Sequence, residues 1–185
     1  MASKFYSKNI PGVNPFPDYP VIVASYSNNT IVGYQTIQAA INNCSIMDDV
    51  YIVNGSYAEN VVVSWDKRIN IHFIAISYDP LHIDSLTIEG RATMTAYGDS
   101  LEIDTILNVA GGNARLSFSF LTFRGMSAQI NVSDDGILLC SFSNIYNLNG
   151  NYCITMSSGA ICAYQLGLNS SGTTTNITGG TYYNH

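Results

Sequence analysis

From Asp48 onward the chain is a succession of apolar runs, three to six residues long, parted by Gly, Asn, Asp and Ser. Ile69-Asn70-Ile71-His72-Phe73, Leu101-Glu102-Ile103, Leu116-Ser117-Phe118 and Ile130-Asn131-Val132 alternate apolar with polar, the period of a strand with one face in a core. Asn-Gly, the strongest short hairpin signal, stands at Asn54-Gly55 and Asn149-Gly150, too rarely to join every neighbouring pair of runs by a tight turn. A sandwich or jelly roll needs more such turns, whereas a solenoid needs a short corner of small polar residues on every coil. The runs fall into two interleaved series, one beginning near residues 69, 86, 101, 116, 130 and 154 and the other near 106, 121, 138, 161 and 177. This recurrence predicts an all-β parallel β-helix with coils of roughly 15 to 24 residues.

The surface implied by the composition is uncharged. Only 11% of the 185 residues are charged, against 46% hydrophobic, and the polar complement rests on 19 Asn, with Ser, Thr and 13 Tyr. Seven Lys and Arg against 13 Asp and Glu leave a net charge of −6, so no basic surface is available for nucleic acid or anionic headgroups. Lys4 and Lys8 are followed by no apolar segment of the signal-peptide kind, and no run approaches the roughly 18 apolar residues of a membrane span. The expected location is a virion or the host cytoplasm, without membrane insertion. Cys44, Cys140, Cys153 and Cys162 form no CxxC pair and have apolar or strand-like neighbours, the pattern of buried free thiols.

Two segments depart from the strand texture. Residues 1–20 contain Pro11, Pro15, Pro17 and Pro20 among Phe5, Tyr6, Phe16 and Tyr19, which reads as an extended arm that either packs back on residues 21–185 or lies on a neighbouring molecule. The four aromatic residues are therefore candidate assembly contacts. In Thr36-Ile37-Gln38-Ala39-Ala40-Ile41-Asn42-Asn43-Cys44 the apolar positions 37, 40, 41 and 44 share one helical face, predicting a helix over about 35–44. Thr36 is its N-cap, with an incomplete capping box because Ala39 occupies the position of a Glu or Gln.

Two stretches carry a family likeness: Tyr34-Gln35-Thr36-Ile37-Gln38-Ala39-Ala40-Ile41 and Asp48-Asp49-Val50-Tyr51-Ile52-Val53-Asn54-Gly55-Ser56-Tyr57-Ala58-Glu59-Asn60-Val61. Together they resemble the start of the pectin-lyase-like right-handed parallel β-helix superfamily, with the pectinesterase cap motif as the nearest likeness. Asn54 stands where that family often has Pro. The resemblance implies a single-stranded right-handed β-helix whose first coil is covered by the helix, with Ile37, Ala40, Ile41 and Cys44 facing the coil. Within that frame Gly55 serves a turn, Tyr57 covers a corner and Glu59 accepts local backbone donors.

The superfamily contains enzymes, but their residues do not carry over. No segment matches the pectinesterase G-x-x-D-F-x-F-G pattern, although Gln129 and Asp135 stand at a suggestive separation. Ser133-Asp134-Asp135-Gly136 imitates a polygalacturonase G-D-D pair, yet no Lys follows Lys67, no Arg follows Arg124, and the one later His is His185. Asp134 and Asp135 are thus weak catalytic candidates, better explained by a corner turn in which Gly136 adopts positive φ. His72 and His82 lack a third ligand for zinc, and Glu89, Asp99, Glu102 and Asp104 read as a solvated acidic face. The expectation is no cofactor, no metal and no complete catalytic constellation. Residues 176–185 read as a further coil without a cap, making Tyr182 and Tyr183 candidate assembly contacts. The expected function is a structural or attachment protein of a larger assembly, most concretely a virion, binding other subunits or copies of itself. The alternative is a carbohydrate-binding or carbohydrate-active protein acting on acidic polysaccharide.

Overall fold

The computed structural model describes residues 18–64, 67–74, 81–111, 113–123, 129–140, 144–147, 153–156, 160–164, 174–177 and 180–184. Phe5, Tyr6 and Phe16 lie outside them. A hairpin comes first, β1 (Val21–Ser25) and β2 (Thr30–Tyr34), followed by the single described helix, α1 (Ile37–Asn43). Strands then follow one another: β3 (Asp49–Val53), β4 (Gly55–Val63), β5 (Arg68–Ile74), β6 (Leu81–Glu89), β7 (Thr93–Ala110), β8 (Asn113–Phe123) and β9 (Gln129–Ser133). The remainder are β10 (Ile137–Cys140), β11 (Asn144–Asn147), β12 (Cys153–Met156), β13 (Ala160–Tyr164), β14 (Thr174–Ile177) and β15 (Gly180–Asn184). The chain is strand-rich, and from β3 onward every strand pair among the described residues is parallel.

The pairings sort into three ladders. The first joins β3, β5, the start of β7, the start of β8, β10, β13 and β15. The second joins residues 55–57 of β4, 81–83 of β6, 101–103 of β7, 121–123 of β8 and then β11. The third joins 60–63 of β4, 85–89 of β6, 106–110 of β7, β9, β12 and β14. From β3 to β13 the described strands visit first, second and third ladder in turn and return to the first.

The step between ladder partners is longer than the recurrence read from the sequence. Asn113 pairs with Thr93, a step of 20, and Tyr57 with Ile83, a step of 26. The series at 69, 86, 101 and 116 hops from ladder to ladder. Leu101 pairs with Leu121, and Leu116 with Ala96.

Register builds the interior. On the third ladder Val61, Leu86, Leu107 and Ile130 form one row and Val63, Ile88, Val109 and Val132 another, and all eight are buried. Ile69, Met94 and Leu138 line the first ladder, and Leu81, Leu101, Ile83 and Ile103 the second. Each such side chain contributes about 1.5 to 3 kcal/mol by leaving water. Ile37 of the helix and Val61, Leu86 and Leu101 of the strands surround a void of about 10 Å³, too small and too apolar for a bound ligand.

One corner corrects a detail of the sequence reading. Asp134 and Asp135, rather than Gly136, take positive φ, 52° and 61°. Gly136 is required for space: a Cβ there would stand 2.4 Å from the carbonyl oxygen of Val109.

Candidate functional site

The start of the stack is closed by two devices. β1 lies antiparallel on β3, covering the end of the first ladder, with β2 outside it. α1 covers the third. Ile37, Ala40, Ile41 and Cys44 are buried in the common core, as the helical spacing predicts. Thr36 Oγ1 accepts from Ala39 N at 3.1 Å, and the part of the absent capping-box glutamate is played by Glu59, from β4. Its two carboxylate oxygens accept from Ile37 N and Gln38 N, each at 2.9 Å. At the other end Lys67 Nζ donates to the carbonyl oxygens of Asn42 and Cys44. An anion at the N-terminus and a cation at the C-terminus both complement the helix dipole. The Gln38 carboxamide takes the place of a neighbouring strand, donating from Nε2 to Val62 O at 3.0 Å and accepting at Oε1 from Val62 N at 2.6 Å.

On the outer side of the first ladder, Tyr51 and His72 are register partners whose rings stack 4.9 Å apart at 18°. His72 Nε2 stands 3.3 Å from Asp49 Oδ1, and the hydroxyl of Tyr26 donates to Asp49 Oδ2 at 2.7 Å. Burial alone raises the Asp49 carboxyl. Hydrogen bonds from His72, Tyr26 and Asn70 outweigh it and hold the group below the ordinary aspartate range. The cluster ties the turn of the β1–β2 hairpin to β3 and β5.

On the outer side of the second ladder, three residues from successive rungs meet. Ser56 Oγ lies 3.0 Å from His82 Nδ1, and His82 Nε2 lies 2.8 Å from Asp104 Oδ1. The second contact has ion-pair distance without hydrogen-bond alignment. Ser56 is exposed, and the side chains of His82 and Asp104 retain 21% and 34% exposure. A hydroxyl, an imidazole and a carboxylate in this order form the relay that acyl-transfer chemistry uses. The sequence alone paired His82 with His72, which stands on another ladder. Ser56 and His82 are register partners 26 positions apart, and Asp104 stands two residues past Glu102, the register partner of His82, so the ladder offset was the signal that could have found them.

The other residues singled out from the sequence are dispersed. Asp134 and Asp135 are exposed at the β9–β10 corner, where Ser133 Oγ lies 3.2 Å from Asp134 Oδ2. Glu102, expected on a solvated acidic face, is 8% exposed. No group of three or more His, Cys, Asp or Glu among the described residues is placed to hold a metal ion. Tyr19 is 39% exposed, with its ring packed over Gly33, where a Cβ would meet it at 2.4 Å. Tyr182 pairs with Cys162 in a register that runs back through Leu138 and Met94 to Ile69, and Tyr183 with Ala163 in the adjacent register. Cys44 is buried and free, its thiol pushed above the ordinary range by burial. No described helix is long and apolar enough to cross a membrane.

No family model, no curated protein and no solved structure matches this chain.

Proposed function

We propose that the chain winds as a right-handed parallel β-helix of the pectin-lyase-like kind and serves as a rigid protein-binding scaffold, a structural or attachment component of a larger assembly such as a virus particle in the host cytoplasm. The winding is supported by the fixed order in which the chain visits three parallel ladders, because a crossover returning to a parallel strand is right-handed in nearly all proteins. The scaffold reading rests on one observation above others, the half-buried outer row Thr87, Asn108 and Asn131 on the third ladder. Its backbone register runs on to Thr155 and Asn176, and none of the five carries a charge. Protein interfaces are depleted in Lys and Glu, and a fixed row of amides and hydroxyls presents donors and acceptors at a regular spacing of about 4.8 Å.

The large exposed apolar side chains add a direction. Tyr19, Tyr26, Val32, Ile46 and Met47 all precede β3, which gives the capped end an apolar surface for such a contact. A glycan-binding reading has its own support in the Tyr51–His72 stack beside Asp49 and Tyr26, an aromatic and hydrogen-bonding surface suited to a sugar.

Light scattering on the purified chain, followed by co-sedimentation with assembled particles, tests the scaffold. Self-association or particle binding, weakened by Met47→Asp and Val32→Asp, is the expected result. A monomer that demethylates or cleaves polygalacturonate overturns the reading in favour of the carbohydrate-active one.

A further inference from the structure

We propose that Ser56 is an acyl-accepting nucleophile, activated by His82 and Asp104, and that the outer side of the second ladder hydrolyses simple carboxylic esters. The activity goes beyond the scaffold reading and is independent of it. Its geometric basis is the convergence of three side chains from three successive rungs, Ser56 on β4, His82 on β6 and Asp104 on β7.

The two contacts of the imidazole assign its tautomer. The Asp104 carboxylate is negative and cannot donate, so it favours the tautomer whose proton sits on Nε2, the nitrogen 2.8 Å from Asp104 Oδ1. Nδ1 then carries a lone pair toward Ser56 Oγ, within reach for proton abstraction. Ser56 is exposed, so an ester carbonyl reaches it from solvent. Among the described residues the 55–57 end of β4 pairs on one side only, with β6.

The step balances without any co-reactant but water. Ser56 Oγ bonds to the carbonyl carbon, its proton passes to His82 Nδ1, and the carbonyl π pair moves to oxygen. Collapse breaks the bond to the leaving oxygen, which departs with the proton from Nδ1. Water then adds to the acyl-serine by the same route, giving the acid and restoring Ser56. Asp104 offsets the imidazolium charge in both halves, acting through His82 as a positioning residue. The exposure of Ser56 suits the site to short acyl groups with little selection in the alcohol part.

The test uses the full chain with p-nitrophenyl acetate, following p-nitrophenolate release and mapping the acetylated residue by mass spectrometry. Expected are a burst of up to one equivalent and an acetyl group on Ser56. Ser56→Ala removes the burst, His82→Gln slows acylation by about 100-fold, and Asp104→Asn slows it less because the carboxylate acts through its charge rather than through an aligned hydrogen bond. Variants are compared at matched thermal melts. Native-state mapping needs no variant: acetylation of Ser56 no faster than of the exposed Ser27 and Ser45 overturns the proposal, as does an unchanged rate in folded His82→Gln. Neither outcome touches the association measured by light scattering.

Discussion

At the scale of single residues, two titratable groups shift in opposite directions, Tyr57 through sequence neighbours and Asp49 through residues of other strands. The hydroxyl of Tyr57 donates to Val53 O at 2.6 Å. Burial, reinforced by the nearby Glu59 carboxylate, pushes its ionisation up to about 12. A folded-state value above the unfolded one, about 10, means that the buried phenol stabilises the fold fully below about pH 10 and progressively less as pH rises toward 12. Tyr57→Phe is therefore expected to cost about 1 kcal/mol at neutral pH through the lost hydrogen bond. Melting temperatures of the two proteins should converge as the solution is made alkaline. Asp49 has the opposite sign. Its carboxyl titrates lower in the fold than in the unfolded chain, so its contribution is complete above about pH 4 and is lost as pH falls through the folded value. Asp49→Asn should flatten the acid limb of the stability profile, measured by urea unfolding from about pH 6 to about pH 2.

At the scale of elements, the helix shows how far local pattern reaches. The apolar positions and the Thr36 cap were readable because both are local: a helical face needs seven residues and a cap needs four. The partner that completes the N-terminus was not, because Glu59 lies 22 residues beyond Ile37 and meets it only through the packing of α1 on β4. A seven-residue helix is unstable alone, so the tertiary partners decide its existence. Ile41→Asp should place a charge in the core and cost several kcal/mol. Glu59→Gln removes a carboxylate that accepts two backbone donors, and should cost about 1.5 to 3 kcal/mol. Guanidinium unfolding measures both, and an unchanged midpoint for Ile41→Asp would mean that the helix does not cover the core. The strands were legible as strands for the same reason as the helix, since period two needs only five residues. Which strands are neighbours was not. β7 runs through all three ladders in 18 residues, and its corners, Gly98-Asp99-Ser100 and Asp104-Thr105, look like the other polar breaks and do not say which strands become neighbours.

At the scale of the whole molecule, that missing offset explains what the sequence hid about the candidate sites. Neighbouring strands of a ladder are distant in sequence and about 4.8 Å apart in space. Ser56, His82 and Asp104 look unrelated until the step of 20 to 26 is known. The same register makes the interior rows interdependent. Ile88 has Val63 on one side and Val109 on the other, and truncation to Ala leaves a gap that neither neighbour can fill without leaving its own ladder. Ile88→Ala should cost about 2 to 5 kcal/mol, against about 0.5 kcal/mol or less for the outward Thr87→Ala, in the same chemical denaturation series.

The Gln38 carboxamide bears on how such a molecule could change length over generations. It occupies the hydrogen-bonding slot at Val62 that an added rung would need, so duplication of a coil at that extremity would have to evict the helix first. A duplication among the parallel strands that follow would give the inserted rung matching backbone above and below. Longer and shorter descendants of this architecture should share residues 36–62 and differ in how many turns come after.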